Sequence, residues 1–330
     1  MLTILNSLPE GLLAVPATEL HTVLPGPVLI HLDGKRAPAI FVSVLLHGNE
    51  DTGWDAVRRL LQGYAGKELP RALSLFVGNV DAAREGKRFL EQQPDYNRIW
   101  RGGDAPEHKM MLQIQEEMQV RGTWLSVDIH NNTGKNPHYA CVNRTDNEFL
   151  QLATLFSRTV VYFLNPDSVQ SMAFAKFCPA VTVECGQTGL AAGIDHAFEY
   201  INACLHLSEI PQHAIHYQDI DLYHTVATVK IVDGIQVGTV QDNDVILDGD
   251  LEEFNFCELP IGTSLGQVRD PTRKPYLILD ESDNDVSDHY FTINSGHILT
   301  CREIIPALIT LDSDIIRKDC LCYLMERYQI

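Results

Sequence analysis

The hydrophobic pattern alternates between two kinds of segment over the first two hundred residues. Nearly continuous apolar runs predict strands buried on both faces, and we place these at 37–46, 72–78, 123–129, 159–164 and 180–183. Apolar residues three and four positions apart predict amphipathic helices, placed at 54–63, 107–120, 147–156 and 195–207. This alternation predicts an α/β fold, in which a mixed sheet is flanked by helices.

After about residue 210 the pattern becomes typical of β structure. Short strand-like runs at 223–232, 276–279 and 289–293 are separated by polar turns and by proline and glycine. We therefore predict two domains, a larger one over 1–211 and a smaller β-rich one over 212–330.

The charge of the chain excludes several classes of partner. The net charge is -19, and residues 201–330 hold 22 of the 44 acidic residues but only 8 of the 25 basic ones. A negative field repels phosphate groups, so we expect neither nucleic acid nor an anionic membrane as a partner. No uncharged apolar stretch approaches the ~20 residues that span a bilayer, which predicts that this is not a membrane protein.

The chain's first residues and its cysteines predict a cytoplasmic protein. The sequence MLTILNSLPEGLL lacks a basic region before its apolar residues, so we expect no signal peptide. The eight cysteines form no CxxC motif, and several lie in apolar stretches. We interpret them as reduced thiols.

Polar side chains follow several of the predicted strands directly. His47 and Glu50 follow the first strand, His130 follows the third, and Glu184 follows the last. Ligands of open α/β sheets bind beyond the carboxyl ends of the strands. Two histidines and a glutamate are a known ligand set of catalytic zinc, and a further carboxylate such as Glu184 could take the proton of the attacking water.

Each of these residues also has a structural alternative. His130 could be a core or capping histidine, and Glu184 could pair with a nearby arginine. Their coincidence at the ends of buried strands favours the metal site, because a carboxylate is costly to bury there without a partner.

Five motifs, in order over residues 40–190, resemble the zinc-carboxypeptidase superfamily, and more narrowly its succinylglutamate desuccinylase/aspartoacylase branch. They are HGNE at 47–50, GNVDAAREGKRF at 78–89, DYNRIW at 95–100, DIHNNTG at 128–134 and VECG at 183–186. The resemblance implies a zinc-carboxypeptidase-like mixed sheet, and the β-rich tail also suits that branch.

The resemblance also implies roles for individual residues. One Zn²⁺ per chain would be held by His47, Glu50 and His130. Glu184 would be the general base, and Arg88 would stabilise the tetrahedral oxyanion. Asn97 and Arg98 would hold the carboxylate of the substrate. Asp128 could orient a ligand histidine or face the other way.

One position departs from the family pattern. The deacylases of the family carry an arginine about ten positions before the base, where this chain has Phe174. Lys176 is the only basic residue between 159 and 184, and a lysine offers a point charge rather than a fork. We therefore do not expect succinylglutamate or acetylaspartate as the substrate. Phe174 would suit an apolar group or the core, and His138 and Tyr139 could line the site or serve only the strand.

These observations predict a zinc-dependent hydrolase that cleaves an amide bond beside a free carboxylate, as in N-acyl amino acid deacylases. A metallocarboxypeptidase acting on short peptides would use the same residues. A catalytically inactive binding protein is a further alternative, although no motif residue is missing. Residues 212–330 would narrow the entrance to the site. The sequence leaves open the acyl group, the amino acid, the pathway, and whether the chain forms a homo-oligomer.

Overall fold

A computed structural model describes residues 2–329 of the chain. The strands, in chain order, are β1 (Thr3–Leu5), β2 (Val28–Leu32), β3 (Ala39–Val44), β4 (Leu73–Val77), β5 (Thr123–Asn132), β6 (Tyr139–Val142), β7 (Thr159–Tyr162), β8 (Ala180–Gln187), β9 (Asp221–Ile231), β10 (Val237–Gly238), β11 (Val245–Leu247), β12 (Ser264–Val268), β13 (Tyr276–Asp280), β14 (Phe291–Asn294), β15 (His297–Thr300), β16 (Ile305–Ala307) and β17 (Cys322–Arg327).

The helices of eight residues or more all lie within the first two-thirds of the chain. In chain order, the helices are α1 (Thr52–Gly63), α2 (Val80–Glu85), α3 (Pro106–Arg121), α4 (Asn147–Thr154), α5 (Gln170–Phe174), α6 (Ala191–His206), α7 (Ser287–Tyr290) and α8 (Ser313–Lys318). None of the helices within the described residues combines the length and the apolar character that a membrane span requires.

The chain forms two units. The first contains residues 2–131 and 138–221, and the second contains residues 132–137 and 222–329. The second unit therefore takes a short segment from the middle of the sequence as well as the C-terminal region.

The first unit is built on a mixed sheet with the strand order β1-β2-β4-β3-β5-β8-β6-β7. Strand β3 runs parallel to both β4 and β5, whereas β2 is antiparallel to β4 and β6 is antiparallel to β8. Its central strands are apolar and fully buried, with Val42, Leu75 and Val127 all inaccessible to solvent. Burial on both faces explains why these strands read as continuous apolar runs.

The second unit is rich in β structure. Strand β9 pairs antiparallel with β13 and with β17, and a separate sheet has the order β10-β11-β12-β15-β14. Side chains such as Val229, Ile278 and Leu324 form its apolar core. The predicted fold class, a mixed α/β sheet with a C-terminal β-rich region, is confirmed.

One local prediction was wrong in part. The run predicted as a strand at 289–293 begins with helix α7, and strand β14 starts only at Phe291. Ser287, the first residue of α7, accepts the backbone N–H of Ile278 through its hydroxyl oxygen, and Asp285 accepts the backbone N–H of Ser287. These side-chain contacts favour a turn over a continuous strand.

Candidate metal centre

His47 and Glu50 lie in the turn that joins strand β3 to helix α1. Leu45 opens the turn with a φ of 57°, and its carbonyl accepts the backbone N–H of Asn79 at 2.6 Å. A Cβ atom at Gly48 would lie only 2.2 Å from the backbone nitrogen of Ala83. The turn is therefore packed directly against the backbone of helix α2, which requires a glycine between the two site residues.

His130 reaches the same place from strand β5. Because β3 and β5 are parallel and adjacent, their carboxyl ends meet at one edge of the sheet. Nδ1 of His47 lies 2.8 Å from Oε1 of Glu50, and Nδ1 of His130 lies 2.7 Å from Oε2 of the same carboxylate. All three side chains are buried. The structure therefore brings together the three residues predicted as metal ligands.

A carboxylate faces the outer ring nitrogen of each histidine. Nε2 of His47 lies 3.0 Å from Oδ1 of Asp95, and Nε2 of His130 lies 2.8 Å from Oδ2 of Asp128. The hydroxyl of Ser43 donates to the other oxygen of Asp128 at 2.7 Å. Carboxylates in this position fix the orientation and tautomer of a ligating histidine.

The charges at the site strongly shift the pKa values of its residues. Burial raises the pKa of Glu50, but the charges of His47 and His130 outweigh burial and hold it well below the ordinary value. Burial lowers the pKa of His130, but Asp128 and Glu50 outweigh burial and raise it well above the ordinary value. The cluster therefore favours a positive charge between its carboxylates.

This arrangement fits a divalent cation. When the Nε2–H of each histidine points at an aspartate, the lone pair on Nδ1 faces the carboxylate of Glu50. A lone pair and a carboxylate repel each other unless a proton or a cation lies between them. Two imidazole nitrogens and one carboxylate are donors that zinc accepts, with a fourth position left for water. His47, Glu50 and His130 could therefore hold a metal ion.

Glu184 lies on strand β8, the neighbour of β5 in the sheet. Burial raises the pKa of its carboxyl to about 7; Glu50 adds to this rise, and His130 opposes it. Glu184 therefore lies close enough to the metal cluster for the charges of Glu50 and His130 to change its pKa. A carboxyl group with a pKa close to neutrality can both take and return a proton at neutral pH.

Arg88 also faces the cluster, and Asp95 holds it there. Its Nε donates to Oδ2 of Asp95 at 3.0 Å, and its Nη1 lies 3.9 Å from Oε1 of Glu50. The backbone carbonyl of Arg88 accepts the N–H of Gly48 at 3.1 Å, which ties the arginine to the ligand turn. The side chain is only 11% exposed.

The two residues predicted to bind the substrate carboxylate differ in their surroundings. Asn97 is buried, its Nδ2 lies 3.1 Å from Nε2 of His130, and its Oδ1 accepts the backbone N–H of Gln170. Arg98 is partly exposed, and its Nη1 donates to the carbonyl of Asn97 at 2.9 Å.

Phe174, the residue that departs from the family pattern, packs in the core. The ring of Phe174 is fully buried, and it stacks on Phe41 at a centroid distance of 4.4 Å and meets the edge of Trp100. Lys176 is exposed. Of the two uses that the sequence left open for Phe174, the structure therefore supports packing in the core.

His138 takes no part in the metal cluster. Its Nδ1 lies 2.7 Å from Nδ1 of His196, and the two rings stack beside Phe156. Burial, with a smaller contribution from His196, lowers the pKa of His138. Tyr139 is buried on strand β6 opposite Glu184.

Sequence reasoning missed three residues that support the site. Asp95 stands two positions before Asn97 in the DYNRIW motif, and an acidic residue so close to two predicted site residues was an available signal. Ser43 and Gln170 carried no such signal, because each lies within a buried segment and acts through one hydrogen-bond partner at the site.

The comparison with protein families agrees with the motifs. Residues 36–199 match the succinylglutamate desuccinylase/aspartoacylase catalytic domain. The succinylglutamate desuccinylase of Pseudomonas putida is 46% identical over 65 residues, which cover 19% of this chain and 19% of that protein. The aligned stretch is thus a minor part of that relative.

Two solved structures have the same fold. The succinylglutamate desuccinylase from Chromobacterium violaceum superposes with a TM-score of 0.59 and 16% identity, over 90% of this chain and 86% of that one. Murine aminoacylase 3 superposes with a TM-score of 0.60 and 17% identity, over 90% of this chain and 98% of that one. At this level of identity the likeness shows the fold alone.

Proposed function

Because residues 36–199 belong to the succinylglutamate desuccinylase/aspartoacylase family, a zinc-carboxypeptidase-like branch, we propose that this protein is a zinc-dependent hydrolase of N-acyl amino acids. The observation that carries the proposal is the buried cluster of His47, Glu50 and His130, with Glu184 on the neighbouring strand. The relatives that match part of the chain at 36–46% identity are named succinylglutamate desuccinylases.

The three ligands would hold Zn²⁺ through Nδ1 of each histidine and the carboxylate of Glu50. Zinc in such a site lowers the pKa of water to about 7 and polarises a carbonyl group. Asp95 and Asp128 keep each imidazole turned with Nδ1 toward Glu50. This orientation is the contribution of the chain to the metal site.

Glu184 would act as the general base. Its carboxylate takes a proton from the attacking water and passes it to the amide nitrogen that leaves. Burial raises the pKa of this carboxyl in the metal-free protein, which makes its carboxylate a stronger base than an exposed glutamate.

Arg88 would stabilise the oxyanion, and Arg98 would bind the free carboxylate of the substrate. A guanidinium donates hydrogen bonds without changing its protonation state, and each lost donor to an oxyanion costs about 3–4 kcal/mol in other enzymes. Arg88 is held beside Glu50, at the edge where the ligands converge. The backbone carbonyl of Asn97 accepts from Nη1 of Arg98 and so helps to place its guanidinium.

The substrate would carry no second carboxylate on either its acyl group or its amino acid. Phe174 is committed to the core, so the chain offers no guanidinium at that position for a second substrate carboxylate. On this proposal succinylglutamate and acetylaspartate, which carry such a carboxylate, would not be substrates.

A turnover screen tests the proposal. Zinc-loaded protein is incubated with N-acetyl, N-propionyl, N-benzoyl and N-succinyl amino acids and with short peptides, and released amino acids are measured by mass spectrometry. Glu184→Gln serves as the blank, because it removes the base while leaving the ligands in place. We expect release from the uncharged acyl substrates. Trimming of peptides from the C-terminus alone would instead indicate a metallocarboxypeptidase, and no release from any substrate would contradict the proposal.

A further inference from the structure

Asp95 contacts a predicted metal ligand with one carboxylate oxygen and the guanidinium of Arg88 with the other. Oδ1 lies 3.0 Å from Nε2 of His47 and accepts the backbone N–H of Asn97 at 2.8 Å. Oδ2 accepts from Nε of Arg88 at 3.0 Å and lies 3.0 Å from its Nη2. Both oxygens are therefore engaged, and the side chain is only 14% exposed.

Asp128 provides the natural comparison. It is fully buried and faces the other histidine, His130, at 2.8 Å, but its second oxygen accepts only from the neutral hydroxyl of Ser43. Two carboxylates thus occupy equivalent places behind the two ligand histidines. Only Asp95 also holds a charged group.

We infer that Asp95 is a positioning residue that couples the metal ligand His47 to the guanidinium of Arg88. The inference rests on the proposed metal site and deepens it. The planar guanidinium meets one carboxylate oxygen with two N–H groups and so fixes the rotation of the carboxylate. The other oxygen is then aimed at Nε2 of His47. A shift of Arg88 therefore moves the acceptor that orients the ligand.

The same contact determines the position of Arg88. With two of its N–H groups on Asp95, the guanidinium is turned so that Nη1 approaches Glu50. The backbone N–H of Asn97 also donates to Asp95. The same carboxylate therefore holds the turn that carries the residues predicted to bind the substrate. Metal affinity and the placement of the oxyanion donor thus depend on one side chain.

A double-mutant cycle on zinc affinity tests this coupling without any need for a substrate. Zinc is titrated into metal-free full-length chain in competition with a chromophoric chelator. The variants are Asp95→Asn, Arg88→Lys and both together, with Asp128→Asn and Asp128→Asn with Arg88→Lys as the matched control cycle. Arg88→Lys keeps the positive charge but loses the fork.

We expect Asp95→Asn and Asp128→Asn each to weaken zinc binding about 10- to 100-fold, the usual effect of removing a carboxylate behind a ligand histidine. Arg88→Lys alone should weaken it about threefold or more. In the Asp95→Asn background this loss should shrink, because the carboxylate that links Arg88 to His47 is gone and only the 3.9 Å approach of Arg88 to Glu50 remains. In the Asp128→Asn background it should persist in full.

The inference is overturned when Asp95→Asn binds zinc as tightly as wild type, or when the losses from Asp95→Asn and Arg88→Lys multiply. Circular dichroism and urea unfolding check that each variant is folded. If Asp95→Asn does not fold, the d–d absorption spectrum of the Co²⁺-loaded Arg88→Lys variant is compared with that of the Co²⁺-loaded wild type. A changed spectrum supports the coupling, and an unchanged spectrum overturns it. If the protein shows the coupling but hydrolyses no substrate, only the proposed function is contradicted. If it binds no zinc, both the proposed function and the coupling are contradicted.

Discussion

At the scale of single residues, the site is defined by charges that are buried together. Glu50, Asp95 and Asp128 are the carboxylates that contact the two imidazoles directly, and Arg88 is the guanidinium held among them. Such a group of buried charges is costly unless each member has a partner. The partners observed here are arranged so that a cation at the centre would complete the set.

The ligand assignment predicts which histidines matter for metal content. His47→Ala and His130→Ala should each lose stoichiometric zinc, because each removes one of the three donor atoms. His138→Ala should retain zinc, since this histidine pairs with His196 outside the cluster. Metal analysis of the purified, dialysed variants measures this, and equal zinc content in all three would remove the assignment.

The raised pKa of Glu184 predicts a pH effect on the stability of the metal-free protein. Between pH 4.5, the ordinary pKa, and about 7, the folded state keeps a proton that the unfolded state has lost. The free energy of unfolding should therefore decrease as the pH rises through this range.

Urea unfolding of chelator-treated protein at several pH values measures this effect. Glu184→Gln should lose this part of the pH dependence, because glutamine does not titrate. Glu199→Gln, which changes an exposed glutamate on helix α6, should retain it. A Glu184→Gln variant with the pH slope of wild type would contradict the assigned burial.

At the scale of elements, the site depends on how closely the turn after β3 approaches helix α2. Gly48 allows that approach, since any side chain would meet the backbone of Ala82 and Ala83. Gly48→Ala should therefore destabilise the protein by about 1–3 kcal/mol, the typical cost of inserting a methyl group into a packed interior. It should also weaken zinc binding, because His47 and Glu50 flank this position.

Gly63 provides the control for this prediction. It lies at the end of helix α1, and a Cβ atom added there meets nothing within 4 Å. Gly63→Ala should leave zinc binding unchanged and stabilise the helix slightly, by up to about 1 kcal/mol. Thermal unfolding and zinc titration of both variants measure the difference. Equal behaviour of the two variants would show that the close approach at Gly48 is unimportant.

The elements that carry the site could be predicted from sequence because their pattern is strong. Strands β3, β4 and β5 are buried on both faces, so their apolar runs stand out, and polar residues mark their ends. Helix α6 begins at Ala191, four residues before the predicted start. The prediction placed the start too late because Ala191 and its neighbours carry no capping signal. Boundaries of this kind depend on tertiary packing rather than on local sequence.

The contacts between elements could not be predicted in the same way. Asp95 lies behind His47, 48 residues away in the sequence. This contact depends on the path of the chain between α2 and α3, where no helix or strand fixes the position of Asp95. Phe174 gave an ambiguous signal for a related reason. An apolar residue near a site can line it or support it, and only the stacking on Phe41 decides.

At the scale of the whole molecule, the two units have different compositions. The acidic excess lies mainly in the C-terminal region, which forms most of the β-rich unit. That unit also includes residues 132–137. In the sequence these residues are only a polar stretch after His130, with no sign that they belong to the C-terminal unit. The proposed function therefore rests on the first unit, which contains every residue assigned to metal binding and catalysis.

The requirement for metal is the central claim, and reconstitution tests it most directly. The full-length chain is stripped with a chelator, zinc is added back in steps, and hydrolysis of the best N-acyl amino acid from the screen is recorded. We predict no turnover in the stripped protein and a linear rise that ends at one zinc per chain. Full activity in the metal-free protein, or a rise that continues well beyond one equivalent, would contradict the account.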